Sequence, residues 1–179
     1  GYFAYITHVT LVYTLFLNFG FYQYYAYYYR KMPALLLQKY ANIFLLQFLF
    51  FAMLCIIVLP FVGDYTVFYI CILIPSGVAK QQMENVMLVE NVRLKIKINM
   101  FSVSFTLACY TMLLFGFTQN IIFPVILILI IDITTVALYL IFSKVMPNPI
   151  KTDFSFLKSI ASFGFLPMLS AVLVTLNYS

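Results

Sequence analysis

Apolar residues run through this chain in long blocks, and short polar or charged breaks separate them. Within a block the apolar character is continuous rather than alternating, the pattern of helices and not of transmembrane strands. A bilayer crossing takes about 20 mainly apolar residues at about 1.5 Å of rise each. On that measure the chain predicts six membrane-spanning helices, at about 3–27, 42–62, 65–90, 98–117, 121–143 and 157–177. The second ends at the breakers Pro60 and Gly63, and the third turns polar in its second half. The expected fold class is all-α and integral to the membrane, with one membrane domain over 1–179.

Composition points the same way. The chain is 65% hydrophobic and 8% charged, against about 45–50% and about 25% in soluble domains. Such a chain has too little polar surface to cover a water-exposed fold. The net charge of +5 matters less than where the cations lie. Arg30, Lys31 and Lys39 fall between the first two spans. Lys80, Arg93, Lys95 and Lys97 fall at the end of the third span and just after it, and Lys144, Lys151 and Lys158 between the last two. These are all ten Lys and Arg residues of the chain, and the connections at 60–65 and 116–121 hold none. The positive-inside rule then places connections 28–41, 91–97 and 144–156 in the cytoplasm and the N-terminus outside. A chain entering from outside predicts at least one further span upstream of Gly1.

Tyrosines crowd the first cytoplasmic end, in YQYYAYYYRKMP at 22–33. Stacking on nucleic acid is excluded, because no soluble surface is left to present it. The rings suit the interfacial belt of a bilayer. Tyr22, Tyr25 and Tyr29 recur on one side, and Tyr24, Tyr27 and Tyr28 mark another. One side is expected to meet lipid and the other to line a cavity mouth where phenol rings stack on sugars.

Inside the spans, polar residues fall in stripes. Thr7, Thr10, Thr14 and Asn18 share a face, as do Asn99, Ser102, Thr106 and Tyr110, and as do Asp132, Thr135 and Tyr139. Hydrogen bonding between packed helices is the ordinary use of such stripes. Asp132 is costlier, with eleven residues of its span on either side. A carboxylate there costs about 2.5–3.5 kcal/mol on insertion scales. It must face water, pair with a cation or be protonated, and it reads either as an ion-coupling or gating group or as a structural hydrogen bond.

The third span reads IPSGVAKQQMENV over 74–86. Pro75 should kink the helix. Gly77, Lys80, Gln81 and Glu84 follow on one face. Lys80 either snorkels to the inner surface with Glu84 as its partner or lines a vestibule that attracts an anion. Gln23 and Gln47 are further polar candidates, and Arg30 stands at the rim. His8 has no carboxylate or serine within sequence reach and founds no active site.

Enzyme signatures are missing: there is no Gly-x-x-x-x-Gly-Lys loop, no His-Glu-x-x-His and no Gly-x-Ser-x-Gly. Nor is there a long extramembrane loop or a His/Asp pair of the kind a membrane polymerase or acyltransferase needs. Cys55, Cys71 and Cys109 lie in apolar runs without metal spacing. They read as small apolar residues, and no cofactor is expected. A purely structural membrane subunit is the remaining non-transport reading, against which the intramembrane Asp132 counts.

The opening GYFAYITHVTLVYTLFLNFGFYQYYAYYYRKM, which leads through NFG to a basic end, resembles the second transmembrane helix of polysaccharide-biosynthesis flippases. These are the Wzx-type exporters of O-antigen and capsule. The closing LKSIASFGFLPMLSAVLVTLNYS resembles their seventh helix. The resemblance spans the chain and implies the two-bundle fold shared with MATE drug exporters. Residues 1–155 would then be N-terminal bundle and 156–179 the first helix of the second. It implies alternating-access flipping of an undecaprenyl-pyrophosphate-linked oligosaccharide across the bacterial cytoplasmic membrane. Lys80 and Arg30 would attract the pyrophosphate, and Asp132 would couple or gate, with H+ or Na+ as a possible coupling ion. A MATE-type cation-coupled antiporter of drugs or metabolites is the alternative, with Asp132 as its carboxylate.

Overall fold

A computed structural model describes residues 2–31, 33–61, 63–116 and 122–178, with some side chains inside these stretches left out, that of Gln23 among them. Its regular elements are all helical among the described residues. They are α1 (Tyr2–Leu17), α2 (Tyr25–Tyr29), α3 (Pro33–Val58), α4 (Tyr65–Glu90), α5 (Val92–Gly116), α6 (Ile122–Phe142) and α7 (Phe154–Tyr178), with short 3-10 turns at Phe21–Tyr24, Leu59–Phe61 and Pro149–Lys151.

The expected third span and α4 have the same bounds. Asp64 caps its start by accepting the Thr66 N–H at 2.7 Å. Two other expectations are corrected. Helix α3 begins nine residues before the expected span, and α5 six before, so Asn91 is the only non-helical residue between α4 and α5. Hydropathy trims these ends because Gln38, Lys39, Arg93, Lys95 and Lys97 are polar, yet such residues are good helix formers. The expected edges at 62, 117 and 121 lie outside the described residues.

Among the described residues, the stretches long and apolar enough to cross a membrane are Leu35–Phe61 and Ile122–Phe142, and Phe3–Leu17 is a shorter apolar helix. Helix α4 has the length, but AKQQMEN interrupts its apolar run.

Helix α4 is the axis of the bundle and packs against α1, α3, α5 and α6. Burial runs round its circumference, from Tyr69 and Ile70 to Val86 and Met87. Pro75 sits inside it without ending it. Proline removes the N–H that would bond the carbonyl four residues earlier, here Cys71. The Cys55 thiol donates to that carbonyl at 3.0 Å, so Cys55 has a bonding role that its apolar reading missed.

The first span is not one helix, which corrects the expected 3–27. After Leu17 the chain turns through Phe19 (φ 53°) and Gly20 (φ 63°), both left-handed, before the 3-10 turn. Glycine takes that conformation freely; for Phe19 it costs about 1–2 kcal/mol. Side chains from two other helices cap the opened carbonyls. Gln47 donates to the Leu17 carbonyl at 2.5 Å. Gln82 donates to the Asn18 carbonyl at 3.2 Å and to the Gln47 oxygen at 2.6 Å. Asn18 accepts the Gly20 N–H at 2.7 Å and donates to Gln81 at 3.1 Å.

The three basic connections gather at one end. Tyr25 donates to Glu90, and the Tyr28 and Ser159 hydroxyls meet at 2.8 Å. Lys39 pairs with Asp153 at 3.2 Å. Most of the crowded tyrosines form a plug there rather than a cavity mouth. Tyr25 is fully buried against Tyr40, ring centres 4.8 Å apart, and Tyr28 stacks edge-on against Phe156 at 5.2 Å. Tyr27 faces out with Lys31 over its ring at 4.4 Å.

Asp153 also caps α7. Hydrogen bonds from Ser155, from the Phe156 N–H and from Lys39 pull its pKa down to about 2. A lowered carboxylate contributes stability above its unfolded value of about 3.9 and loses it as pH falls towards the folded value. Asparagine caps as well as aspartate, so Asp153→Asn isolates the charge. The expected result is a lower thermal midpoint for the variant at neutral pH. That gap narrows below about pH 4 and closes near the folded pKa of about 2. A gap that persists at the acid end would count against the ion pair.

Candidate functional site: an ion-paired cavity between α1, α4 and α6

Asp132 is the middle residue of α6, ten positions from either end, or about 15 Å of helix. Only 8% of its side chain is exposed, and Lys80 on α4 donates to its Oδ1 at 2.9 Å. Of the three outcomes open to a carboxylate at mid-span, pairing with a cation is the one observed. Of the two readings of Lys80, snorkelling with Glu84 as partner is not observed; the residue lines a cavity and pairs with Asp132. Lys80 lies ten residues from the end of α4, and its ammonium turns across the bundle instead of reaching for the surface.

The pair opens onto a cavity of about 370 Å³ lined by α1, α4 and α6. Glu84 sits one turn beyond Lys80 in its wall, with Gly77 and Gln81 alongside. The threonine stripe Thr7, Thr10 and Thr14 faces it from α1. Closeness of α1 to α4 depends on Gly77, since a Cβ there would stand 3.1 Å from the Thr14 hydroxyl. The Thr10 hydroxyl is buried and has no hydrogen-bond partner among the described residues. One cation and two carboxylates line the space, giving a formal charge of −1 with all three ionised.

The other sequence candidates do not join it. Arg30 is exposed beyond the end of α2 and is not among the lining residues. Gln47 is buried and bonds through both of its polar atoms, to the Leu17 carbonyl and to Gln82; the Gln82 amide nitrogen joins the same network, a role sequence reasoning missed, while its buried oxygen has no partner among the described residues. The signal was present: most polar groups on a helix buried all round are hydrogen-bonded, and KQQ lies inside such a helix. The Gln23 side chain lies outside those described. The polar stripes of α5 and α6 face each other as packed helices should, Tyr139 donating to Asn99 at 2.9 Å and Thr135 to Ser102 at 3.4 Å.

Chemically, the site can hold or exchange a cation or proton between carboxylates, or open and close through the ion pair. No group of three or more His, Cys, Asp or Glu side chains able to hold a metal occurs among the described residues. No protein-family model, curated protein or solved structure matches the chain.

Proposed function

We propose that this chain forms most of one helical bundle of a bacterial cytoplasmic-membrane transporter, which flips an undecaprenyl-pyrophosphate-linked oligosaccharide outward by alternating access. The observation that carries the transport reading is the Lys80–Asp132 pair, held at mid-helix on the wall of a cavity. Intramembrane ion pairs facing an internal cavity are costly and mark pathways or gates. The outer surface supports a bilayer setting. Only 28% of the most apolar 18 residues in each of the two long apolar stretches is buried, whereas a soluble protein hides its most apolar helices. Among the described residues two helices are apolar and long enough to cross a bilayer, and the proposed six-span arrangement rests on the sequence pattern together with the gathering of the basic connections at one end. The choice of cargo rests on the sequence resemblance. A head group that cannot cross hydrocarbon alone needs such a polar path.

Lys80 takes a different role from the one the resemblance implied. Its ammonium is committed to Asp132, so it acts first as a latch between α4 and α6 and meets pyrophosphate only when that latch opens. The test is flipping of a fluorescent lipid-linked oligosaccharide by the full-length protein in liposomes. Lys80→Ala and Asp132→Asn should each abolish most transport, and normal rates in both would remove the pair from the mechanism.

A MATE-type antiporter is the second reading, and the cavity's excess of carboxylate over cation favours it. Dye efflux driven by a sodium or proton gradient, without any lipid-linked sugar, would replace the flippase reading.

A further inference from the structure

On another face of the bundle, α3, α4 and α6 enclose an apolar groove of about 240 Å³ that shares no lining residue with the ion-paired cavity. Each helix lines it over the same length, positions 41–48, 76–83 and 133–140, or about 10 Å of axis. Ala41, Ala79 and Ala137, one on each helix, leave the space. Pro147 lines it from the loop after α6. The groove therefore starts at the basic end of the bundle and runs towards its middle.

That loop has the make-up of a lipid-facing surface. Ile150 is 91% exposed and Met146 87%, with Lys144 and Lys151 exposed beside them. They are not outward for want of anchoring. Gln38 donates to the Met146 carbonyl at 2.7 Å, the Asn148 N–H donates to Asn42 at 2.7 Å, and Asn42 donates to the Lys151 carbonyl at 3.4 Å. A loop tied down at three points presents two bare apolar side chains between cations. That suits an anionic bilayer surface, with apolar tips in the acyl boundary and ammonium groups among phosphates.

Lys144 adds an independent observation. It closes α6 in a left-handed conformation (φ 55°), with its N–H on the Ile141 carbonyl and the Val145 N–H on the Leu140 carbonyl. Glycine is the usual residue at this position of such a cap. The lysine that stands there instead lies four residues beyond Leu140 in the groove wall, which puts its charge at the basic end of the groove.

We propose that this groove holds one acyl chain of an anionic phospholipid of the cytoplasmic leaflet, with Lys144 on its phosphate. Resting on the membrane reading above, it assigns a resident lipid and not the cargo, since cavity and groove share no lining residue.

The test uses the full-length protein in phosphatidylcholine vesicles containing a phosphatidylglycerol with a photoactivatable acyl chain. Adducts should concentrate on 41–48 and 133–140, and unlabelled phosphatidylglycerol should compete while phosphatidylcholine does not. Lys144→Gly suits the cap geometry and removes the charge, so it should weaken that preference about fivefold, the equivalent of about 1 kcal/mol per surface lysine. Ala137→Leu should fill the groove and remove the adducts. Scattered adducts, equal labelling by a phosphatidylcholine analogue, or an unchanged preference in Lys144→Gly would each overturn the site. Alkaline-resistant flotation with the vesicles separates the failures. A protein that floats without groove adducts loses the lipid site alone, and one that does not float loses the membrane reading and the site with it.

Discussion

Asp132→Leu should lower stability in detergent micelles by about 3 kcal/mol, and adding Lys80→Met should recover most of that loss. Removing one member of a buried ion pair leaves the other charge desolvated and unpaired, at about 3–5 kcal/mol. The lower end applies here because 28% of the Lys80 side chain stays exposed towards the cavity, so water screens part of the stranded charge. Replacing both members with apolar groups of similar size is often neutral, and α4 and α6 pack along their lengths without the pair. The cycle therefore separates two roles. A pair needed only to hold the bundle would give a double variant that is both stable and active, since apolar replacements do the same job. A pair serving transport gives a double variant that is stable and inactive. If Asp132→Leu leaves the unfolding midpoint unchanged, the charged pair is not formed in the folded protein.

Both residues of the pair were legible in the sequence as anomalies, but not as partners. Asp132 is marked by its apolar run and Lys80 by its place in a polar stretch inside an expected span, each singly. What joins them is the lateral register of α4 against α6 across a separation of 52 positions, and that register comes from packing. Glu84 is the nearer carboxylate along the helix, which is why local spacing chose it. Helices α4 and α6 themselves were legible nearly to the residue, since breakers or polar runs bound them. The break after Leu17 was not, because counting apolar residues is blind to backbone conformation. Asn18 and Gly20 were the available signal, two turn formers flanking Phe19 inside an apolar block. The tyrosine plug shows the same limit. Aromatic residues near a basic end fit the bilayer interface, yet Tyr40 and Phe156 from distant segments draw Tyr25 and Tyr28 inward.

Gly164→Val should cost about 2–3 kcal/mol, the upper part of the range for overpacking a close contact, and should loosen α7 from the bundle. A Cβ on Gly164 would stand 2.8 Å from the Phe19 carbonyl oxygen and 2.9 Å from that of Gly20. Both are backbone atoms of the turn that interrupts the first span. The turn cannot yield, because Gln47 and Gln82 hold the Leu17 and Asn18 carbonyls and Asn18 holds the Gly20 N–H. Helix α7 must move instead, and valine's second methyl deepens the overlap. Gly63→Ala is the matched control, since nothing lies within 4 Å of its added carbon; that change should be neutral or slightly stabilising. Thermal midpoints of the two variants in the same detergent decide the matter. Equal midpoints would mean that α7 does not rest on the turn. A selective loss in Gly164→Val makes the break a joint that α7 clasps, so movement of α7 and reshaping of the turn after α1 are coupled. On the transport proposal, that coupling would carry motion from α7 to α1, whose threonines line the cavity opposite Lys80 and Asp132.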